Sequence, residues 1–97
     1  MAVFIMFGKY SKESLKDVSA QRTKKAIKVI EKNGGKVISM YAVMGEHDLV
    51  FTLDFPNAEA AMSASIGLNI LTGISFSTSP VVDVETFDRL VSKAEKI

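Results

Sequence analysis

The side chains best suited to chemistry in this sequence lie in one short segment, Gly45-Glu46-His47-Asp48, which contains the only histidine of the chain. A histidine between two carboxylates can accept or relay a proton near neutral pH. The same residues also suit a tight turn, since glycine adopts φ > 0 and aspartate hydrogen-bonds its own turn. Alternation along a strand would put Glu46 and Asp48 on one side and His47 on the other, so the three would not converge on a metal ion. We predict a turn first and a recognition feature second, with no metal site.

A second group of polar side chains follows in "SFSTSP" (75–80), where four hydroxyls occupy one short run. These hydroxyls either form hydrogen bonds with one another across a subunit interface or donate hydrogen bonds to a small polar ligand. Tyr10 and Tyr41 could each donate a phenol proton in a cavity, although packing at an interface is the commoner use of tyrosine. Both interpretations of the hydroxyl run stay open on the sequence alone.

The composition is that of an ordinary globular chain, with 97 residues, 47% hydrophobic residues, a net charge of +1 and no cysteine. This length suits one compact domain, predicted here over residues 1–97. Mixed charges argue against nucleic acid and anionic membranes as partners, and the lack of cysteine excludes thiol chemistry. The apolar opening "AVFIMFG" (2–8) is too short to span a bilayer. We therefore expect a cytoplasmic protein that needs no cofactor.

Hydrophobic periodicity predicts the elements that would position these groups. The predicted order is a strand at 2–8, a helix at 19–32, strands at 36–43 and 48–55, a helix at 58–67 closed by Gly67, a strand at 74–82 and a helix from about 85. The polar connection 9–18 has room for one helical turn. Two right-handed crossovers around a central hairpin give the ferredoxin-like βαββαβ arrangement, an α+β fold, with an extra C-terminal helix. Four antiparallel strands would carry helices on one face only.

Alternation of side chains divides this sheet into two predicted faces. One face is almost purely apolar and should contact the helices: Val3, Ile5, Phe7, Ile38, Met40, Leu49, Phe51, Leu53, Ile74 and Phe76. The other face mixes large apolar groups with hydroxyls: Phe4, Met6, Val37, Ser39, Tyr41, Val43, Val50, Thr52, Asp54, Ser75, Ser77 and Ser79. A contiguous patch of that kind usually marks an interface. We expect a second copy to cover it, because symmetric pairs are the commonest assemblies.

These residues together resemble the GYD domain family over nearly the whole chain. The likeness rests on "EKNGGKV", on "MGEHDLVFTLDFPNAEAA", on the hydroxyl-rich fourth strand and on the closing helix. The family signature is usually Gly-x-Tyr-Asp; Gly45 and Asp48 match it, while His47 stands where tyrosine is typical. That departure argues against a role that requires the phenol and against catalysis by His47. The resemblance implies a dimeric α/β barrel, in which two ferredoxin-like sheets pack face to face.

The chain is also similar, more distantly, to the effector-binding domain of the leucine-responsive (Lrp/AsnC) regulators. That family has a similar hairpin, a proline soon after it and threonines on the last strand. Its hairpin glycine and aspartate and its last-strand hydroxyls lie near an amino-acid site between dimers. By position, the resemblance implies ligand-binding roles for Gly45, Asp48, Ser77 and Ser79. We see no helix-turn-helix segment, so the expectation is a stand-alone sensor or assembly domain.

Three functional hypotheses follow from these observations. The first is a non-catalytic homodimer or higher homo-oligomer that binds a small, polar, amino-acid-like metabolite. The second is a cofactor-free oxygenase or isomerase that uses Tyr10, Tyr41, His47 or Asp54 for proton transfer. This hypothesis rests on fold analogy, and one fold hosts many functions. The third is an assembly module without a ligand, in which the serines hydrogen-bond only one another.

Overall fold

The computed structural model describes residues 1–96, which form one antiparallel sheet and four helices. Numbered along the chain, the elements are β1 (Ala2–Lys9), α1 (Lys12–Lys16), α2 (Ala20–Lys32), β2 (Lys36–Ala42), β3 (Leu49–Phe55), α3 (Ala58–Thr72), β4 (Ser75–Pro80) and α4 (Val84–Glu95). Every predicted strand and helix is present, and the polar connection after β1 contains one short helix, α1. None of the described helices combines the length and apolar character needed to cross a membrane.

The sheet has the strand order β2-β3-β1-β4, and every neighbouring pair is antiparallel. Strand β1 therefore lies inside the sheet, with β3 on one side and β4, the last strand in the chain, on the other. Helices α2 and α3 pack against each other and on the same side of this sheet. The predicted ferredoxin-like α+β fold with an additional C-terminal helix is confirmed.

The hydrophobic core fills the layer between the sheet and helices α2 and α3. Its largest fully buried side chains are Phe55, Met6, Ile30, Leu53 and Leu68. Burial of one such side chain stabilises a fold by about 1.5–3 kcal/mol. This single layer therefore supplies most of the hydrophobic stabilisation of one copy.

The predicted end of α3 at Gly67 is wrong, because the helix continues to Thr72. The residue that ends it is Gly73, which has φ +74° and donates its N–H to the carbonyl of Asn69. Gly67 instead lies inside the helix where α3 meets α2, and a Cβ atom there would stand 3.0 Å from Val29 Cγ1. Sequence alone does not distinguish a glycine that ends a helix from one that lets two helices approach.

The predicted orientation of β1 is also wrong. Phe4 and Met6 are 5% and 0% exposed and belong to the core, so they face the helices. Val3, Ile5 and Phe7 are half-buried on the opposite face. Residues 2–7 are all apolar, so the strand has no alternation from which its inner face can be read. Pairing with β3, a long-range contact, sets the orientation instead.

Strand β2 contains a β-bulge that alternation could not anticipate. Val37 and Ser39 pair with consecutive residues of β3, so Ile38 is the extra residue. Val37 and Met40 both pack against the core, whereas Ile38 is 52% exposed. The predicted face is therefore correct for Met40 and wrong for Val37 and Ile38.

With these corrections, the face away from α2 and α3, called the open face below, still mixes apolar and hydroxyl side chains. It is formed by Val3, Ile5, Phe7, Lys9, Ser39, Tyr41, Val50, Thr52, Asp54, Ser75, Ser77 and Ser79. Helix α4 has no buried residue in one copy of the chain. Its apolar stripe is exposed: Val84, Phe87, Leu90 and Val91. One copy of the chain therefore leaves the open face and the α4 stripe in contact with solvent, and α3 exposes a further apolar row at Met62, Ile66 and Ile70.

Candidate functional site

The connection between β2 and β3 is held against the end of β1 by Asp48. Its N–H donates to the Gly8 carbonyl at 2.8 Å, and its own carbonyl accepts from the Val43 N–H at 2.8 Å. The side-chain Oδ2 accepts the backbone N–H of Tyr10 at 2.9 Å and lies 3.8 Å from Lys9 Nζ. Asp48 thus joins the hairpin to the segment that leaves β1.

A shallow depression of about 290 Å³ lies beside this connection, at one end of the open face. We call it the hairpin-end depression; it is lined by Phe7, Lys9, Glu46, His47, Ser75, Phe76 and Ser77. Strand β1 separates β3 from β4, yet Glu46 and His47 of the β2–β3 connection line the depression together with residues of β4. The His47 ring accordingly lies over the Phe7 ring, with centroids 4.6 Å apart and an interplanar angle of 33°.

The hairpin-end depression combines groups of opposite charge around an aromatic floor. Lys9 supplies an ammonium group, Glu46 a carboxylate, and Ser75 and Ser77 supply hydroxyls that can donate or accept hydrogen bonds. Lys9 and Ser75 are a directly paired couple of the β1–β4 ladder. A molecule that carries both an ammonium and a carboxylate group would find a partner for each. The arrangement therefore suits recognition of a small zwitterion.

The four residues implied by the family resemblance occupy different positions around this end of the sheet. Ser77 lines the hairpin-end depression, and Ser79 lies two residues further along the same face of β4, opposite Ile5. Asp48 lines a separate groove on the far side of Lys9. Gly45 has φ +138°, a backbone conformation that favours glycine, and has open space where a Cβ atom would lie. The structure brings Ser77 close to Glu46 and His47 rather than to Asp48.

The expectation that Glu46 and Asp48 share one side, with His47 facing away, is wrong. Glu46 and His47 line the same depression, whereas Asp48 turns toward the backbone of Tyr10. None of residues 45–48 belongs to a strand, so the two-residue alternation does not apply to them.

The groups of the enzymatic hypothesis do not meet in one place. Tyr10 and Tyr41 line a cavity beneath α2, and His47 lies in the hairpin-end depression. Asp54 lies toward the opposite end of the open face, paired with Val3. Within residues 1–96, no three histidine, cysteine or carboxylate side chains are grouped to hold a metal ion. The observed placement offers several separate polar surfaces and no assembled proton-transfer cluster.

Sequence reasoning missed Lys9 and Phe7 as lining residues of this depression. The sequence signal for Lys9 was its place as the first charged residue after the apolar run of β1. The face of the sheet on which Lys9 lies, however, depends on the orientation of β1. With Phe7 turned to the open face, Lys9 follows it there by alternation. The wrong orientation of β1 therefore concealed both residues.

A family model described as GYD domain matches residues 4–91. The chain belongs to the GYD domain family. The matched region of this GYD domain includes the sheet, the β2–β3 connection and most of α4. A search of curated proteins finds no match for it.

Solved structures similar to this GYD domain include regulators of low sequence identity. One is a transcriptional regulator, with a TM-score of 0.65 and 14% identity over 87% of this chain and 52% of the regulator. Another is the leucine response regulatory protein LrpA of Mycobacterium tuberculosis, with a TM-score of 0.56 and 13% identity over 86% of this chain and 51% of LrpA. The GYD domain thus spans about half the length of each matched structure. At such low sequence identities, the similarity shows a shared fold only.

Proposed function

We propose that this GYD domain is a non-catalytic binding domain that senses a small, zwitterionic, amino-acid-like metabolite within a homo-oligomer. The observation that carries the proposal is the convergence of Lys9, Glu46 and Ser77 on one depression of the open face. Similarity of fold to regulators that include a leucine response protein is consistent with it. The residues themselves supply the chemical argument.

Charge complementarity supports a zwitterionic ligand. A carboxylate of the ligand would accept hydrogen bonds from the Lys9 ammonium and a serine hydroxyl, and its ammonium would donate to Glu46. Phe7 and His47 would contact an apolar side chain of the ligand. Asp48 would act indirectly by holding the connection in place, and Gly45 by allowing its bend. Ser79 would extend the row of hydroxyls for a longer ligand.

The shallowness of the depression supports a site that a second copy completes. Lys9, Glu46, Ser75 and Ser77 are all exposed in one copy, and exposed charges bind weakly because water and salt screen them. A partner packed on the open face would exclude that water and strengthen each contact. The apolar open-face residues and the exposed stripe of α4 supply the hydrophobic area for such packing. Oligomer formation and ligand binding would therefore support each other.

Isothermal titration calorimetry with a panel of free amino acids tests this proposal. We expect heat of binding for a subset of them, and loss of that heat when the ligand is N-acetylated or its carboxylate is amidated. Glu46→Gln should weaken binding about tenfold, the effect of losing roughly 1.4 kcal/mol from one charged hydrogen bond. Uniformly flat titrations across the panel would reject the proposal.

Matched serine substitutions provide the control. Ser77→Ala removes a hydroxyl from the depression, whereas Ser63→Ala removes one from the exposed surface of α3. We expect the first to reduce affinity several-fold, since one hydrogen bond contributes about 0.5–1.5 kcal/mol, and the second to leave affinity unchanged. Equal effects of the two substitutions would mean that the ligand binds elsewhere.

A further inference from the structure

A second, more enclosed space lies on the opposite side of the sheet from the hairpin-end depression. It is a cavity of about 140 Å³ between α2, the end of α3 and the helix-facing side of β3. We call it the α2 cavity. Its inner wall is formed by apolar side chains that the fold buries: Ala26, Phe51, Leu68 and Ile74. A comparable apolar cavity, of about 150 Å³, is large enough to bind benzene.

The mouth of the α2 cavity differs chemically from its inner wall. The more exposed lining residues include Arg22, which carries a guanidinium, and Ser19, Thr23 and Tyr10, which carry hydroxyl groups. The lining contains no carboxylate. Among residues 1–96, Arg22 has no acidic side chain within ion-pair distance. A half-buried cation of this kind, above an apolar wall, is complementary to an anion that carries an apolar group.

Local hydrogen bonds hold Arg22 in this position. Its Nη1 donates to the carbonyl of Ser14 at 2.6 Å, and its backbone N–H donates to the Oγ of Ser19, the N-cap of α2. Ser14 is 2% exposed and is itself fixed by reciprocal hydrogen bonds with Ser11. A guanidinium has five N–H donors, so the bond to Ser14 leaves others for a ligand. The cation is thus oriented before any ligand arrives, which lowers the entropic cost of binding.

We propose that the α2 cavity is a second binding site, specific for a small monocarboxylate whose apolar body is one aromatic ring or a branched chain of similar size. The ring would contact Leu68 and Ile74, and the carboxylate would accept hydrogen bonds from Arg22. The α2 cavity and the hairpin-end depression lie on opposite faces of the sheet and share one lining residue, Phe76. The ligand classes also differ, since the α2 cavity has no acceptor carboxylate for an ammonium group.

Amide chemical shifts of the full chain, followed during titration with phenylacetate, provide the direct test. We expect saturable shifts at Ala26, Leu68 and Ile74 and smaller ones at Ser77. Benzyl alcohol, a neutral analogue, should move the same core resonances with weaker affinity. Absence of shifts at these positions up to about 10 mM, well above the ~1 mM dissociation constant of a weak site, would overturn the proposal.

Two substitutions separate the roles of charge and space. Arg22→Gln should weaken phenylacetate binding about tenfold or more while changing benzyl alcohol binding less than about twofold, because only the carboxylate uses the cation. Ala26→Leu should abolish binding of both compounds, because the larger side chain fills the cavity. Lys24→Gln, which removes an exposed cation from the same helix, should change neither.

The opposite results would overturn the site. Equal losses of phenylacetate and benzyl alcohol on Arg22→Gln would show that arginine acts only in folding. Unchanged binding to a folded Ala26→Leu variant would place the ligand elsewhere. Should Ala26→Leu unfold, the ratio of the two affinities in Arg22→Gln decides alone. Amino-acid calorimetry addresses the other site, so failure of one proposal is distinguishable from failure of the other.

Discussion

Thr78 shows how a single residue can carry an energetic cost in this fold. It lies on β4 opposite Met6, on the side that faces the helices. Its Oγ1 is the buried side-chain polar atom that has no hydrogen-bond partner within residues 1–96. A buried hydroxyl without a partner loses its hydrogen bonds to water and costs about 1–3 kcal/mol. Its neighbours Ser77 and Ser79 face the other way and avoid this cost.

Thr78→Val should therefore raise the free energy of unfolding by about 1 kcal/mol, because it replaces the hydroxyl with a methyl group of similar shape. Urea denaturation followed by circular dichroism measures the change. Thr78→Ser is the matched control; it keeps the hydroxyl, removes a methyl group, and should lower stability. A destabilised Thr78→Val protein would show that the hydroxyl is satisfied in solution.

Helix α4 is the element most dependent on its own capping, since it buries no side chain in one copy. Its N-cap is Asp83, whose Oδ1 accepts the backbone N–H of Thr86 at 2.7 Å. Hydrogen bonds from the Thr86 side chain and then from its backbone lower the pKa of Asp83 below the usual value. A carboxyl group whose pKa is lowered by folding stabilises the helix when ionised. That stabilisation is fully present above the unfolded pKa and is lost as the pH falls through the folded pKa.

The first turn of α4 should therefore fray in acid, below about pH 4, where aspartate becomes protonated. The Thr86 amide shift and the Cα shifts of α4, measured against pH, report this change. Asp83→Asn keeps a good N-cap without the charge and should remove most of the pH dependence. Glu85→Gln, which removes the ion pair with Arg89, serves as a separate control for the other acid of this turn. If the chemical shifts of α4 in Asp83→Asn kept the pH dependence of the wild type, the capping explanation would be wrong.

At the scale of the whole molecule, one copy is elongated rather than compact. Its extents are 52 × 30 × 18 Å, and its radius of gyration is 15.1 Å. A compact chain of this length has a radius of gyration of about 12.5 Å. Helix α4 extends away from the sheet, and Phe87 on its apolar stripe is 58% exposed. We infer that α4 and the open face are completed by another copy.

Sedimentation velocity should accordingly show a dimer or larger species at micromolar concentration. A stable interface buries about 800 Å² on each partner, and the open face and the exposed α4 stripe are the surfaces we expect to contribute to it. Ile5→Lys on the open face and Phe87→Ser on α4 should each shift the equilibrium toward monomer. Lys28→Ser, on the exposed surface of α2, should not. A wild-type protein that remains monomeric at high concentration would contradict this inference. It would also mean that no second copy completes the hairpin-end depression.

The sequence by itself determined the order of the elements and most of their ends. Helix α3 begins at the predicted residue 58 and α2 one residue after the predicted 19, and the alternation of β3 identified its inner face correctly. These features depend on residues close together in the chain, so local periodicity and capping suffice to predict them. The turn at residues 45–48, beside which the proposed site lies, followed from the same local signals.

Only the tertiary structure decided which groups meet. The face of β1 depends on its pairing with β3, the bulge at Ile38 shifts one strand against another, and the place of Gly67 inside α3 reflects the close approach of α3 to α2. The meeting of Lys9 with Glu46 requires β1 to lie between β3 and β4. The α2 cavity likewise requires residues from two helices and the sheet. Contacts between residues distant in the chain leave little trace in local periodicity, because each segment alone is compatible with several pairings.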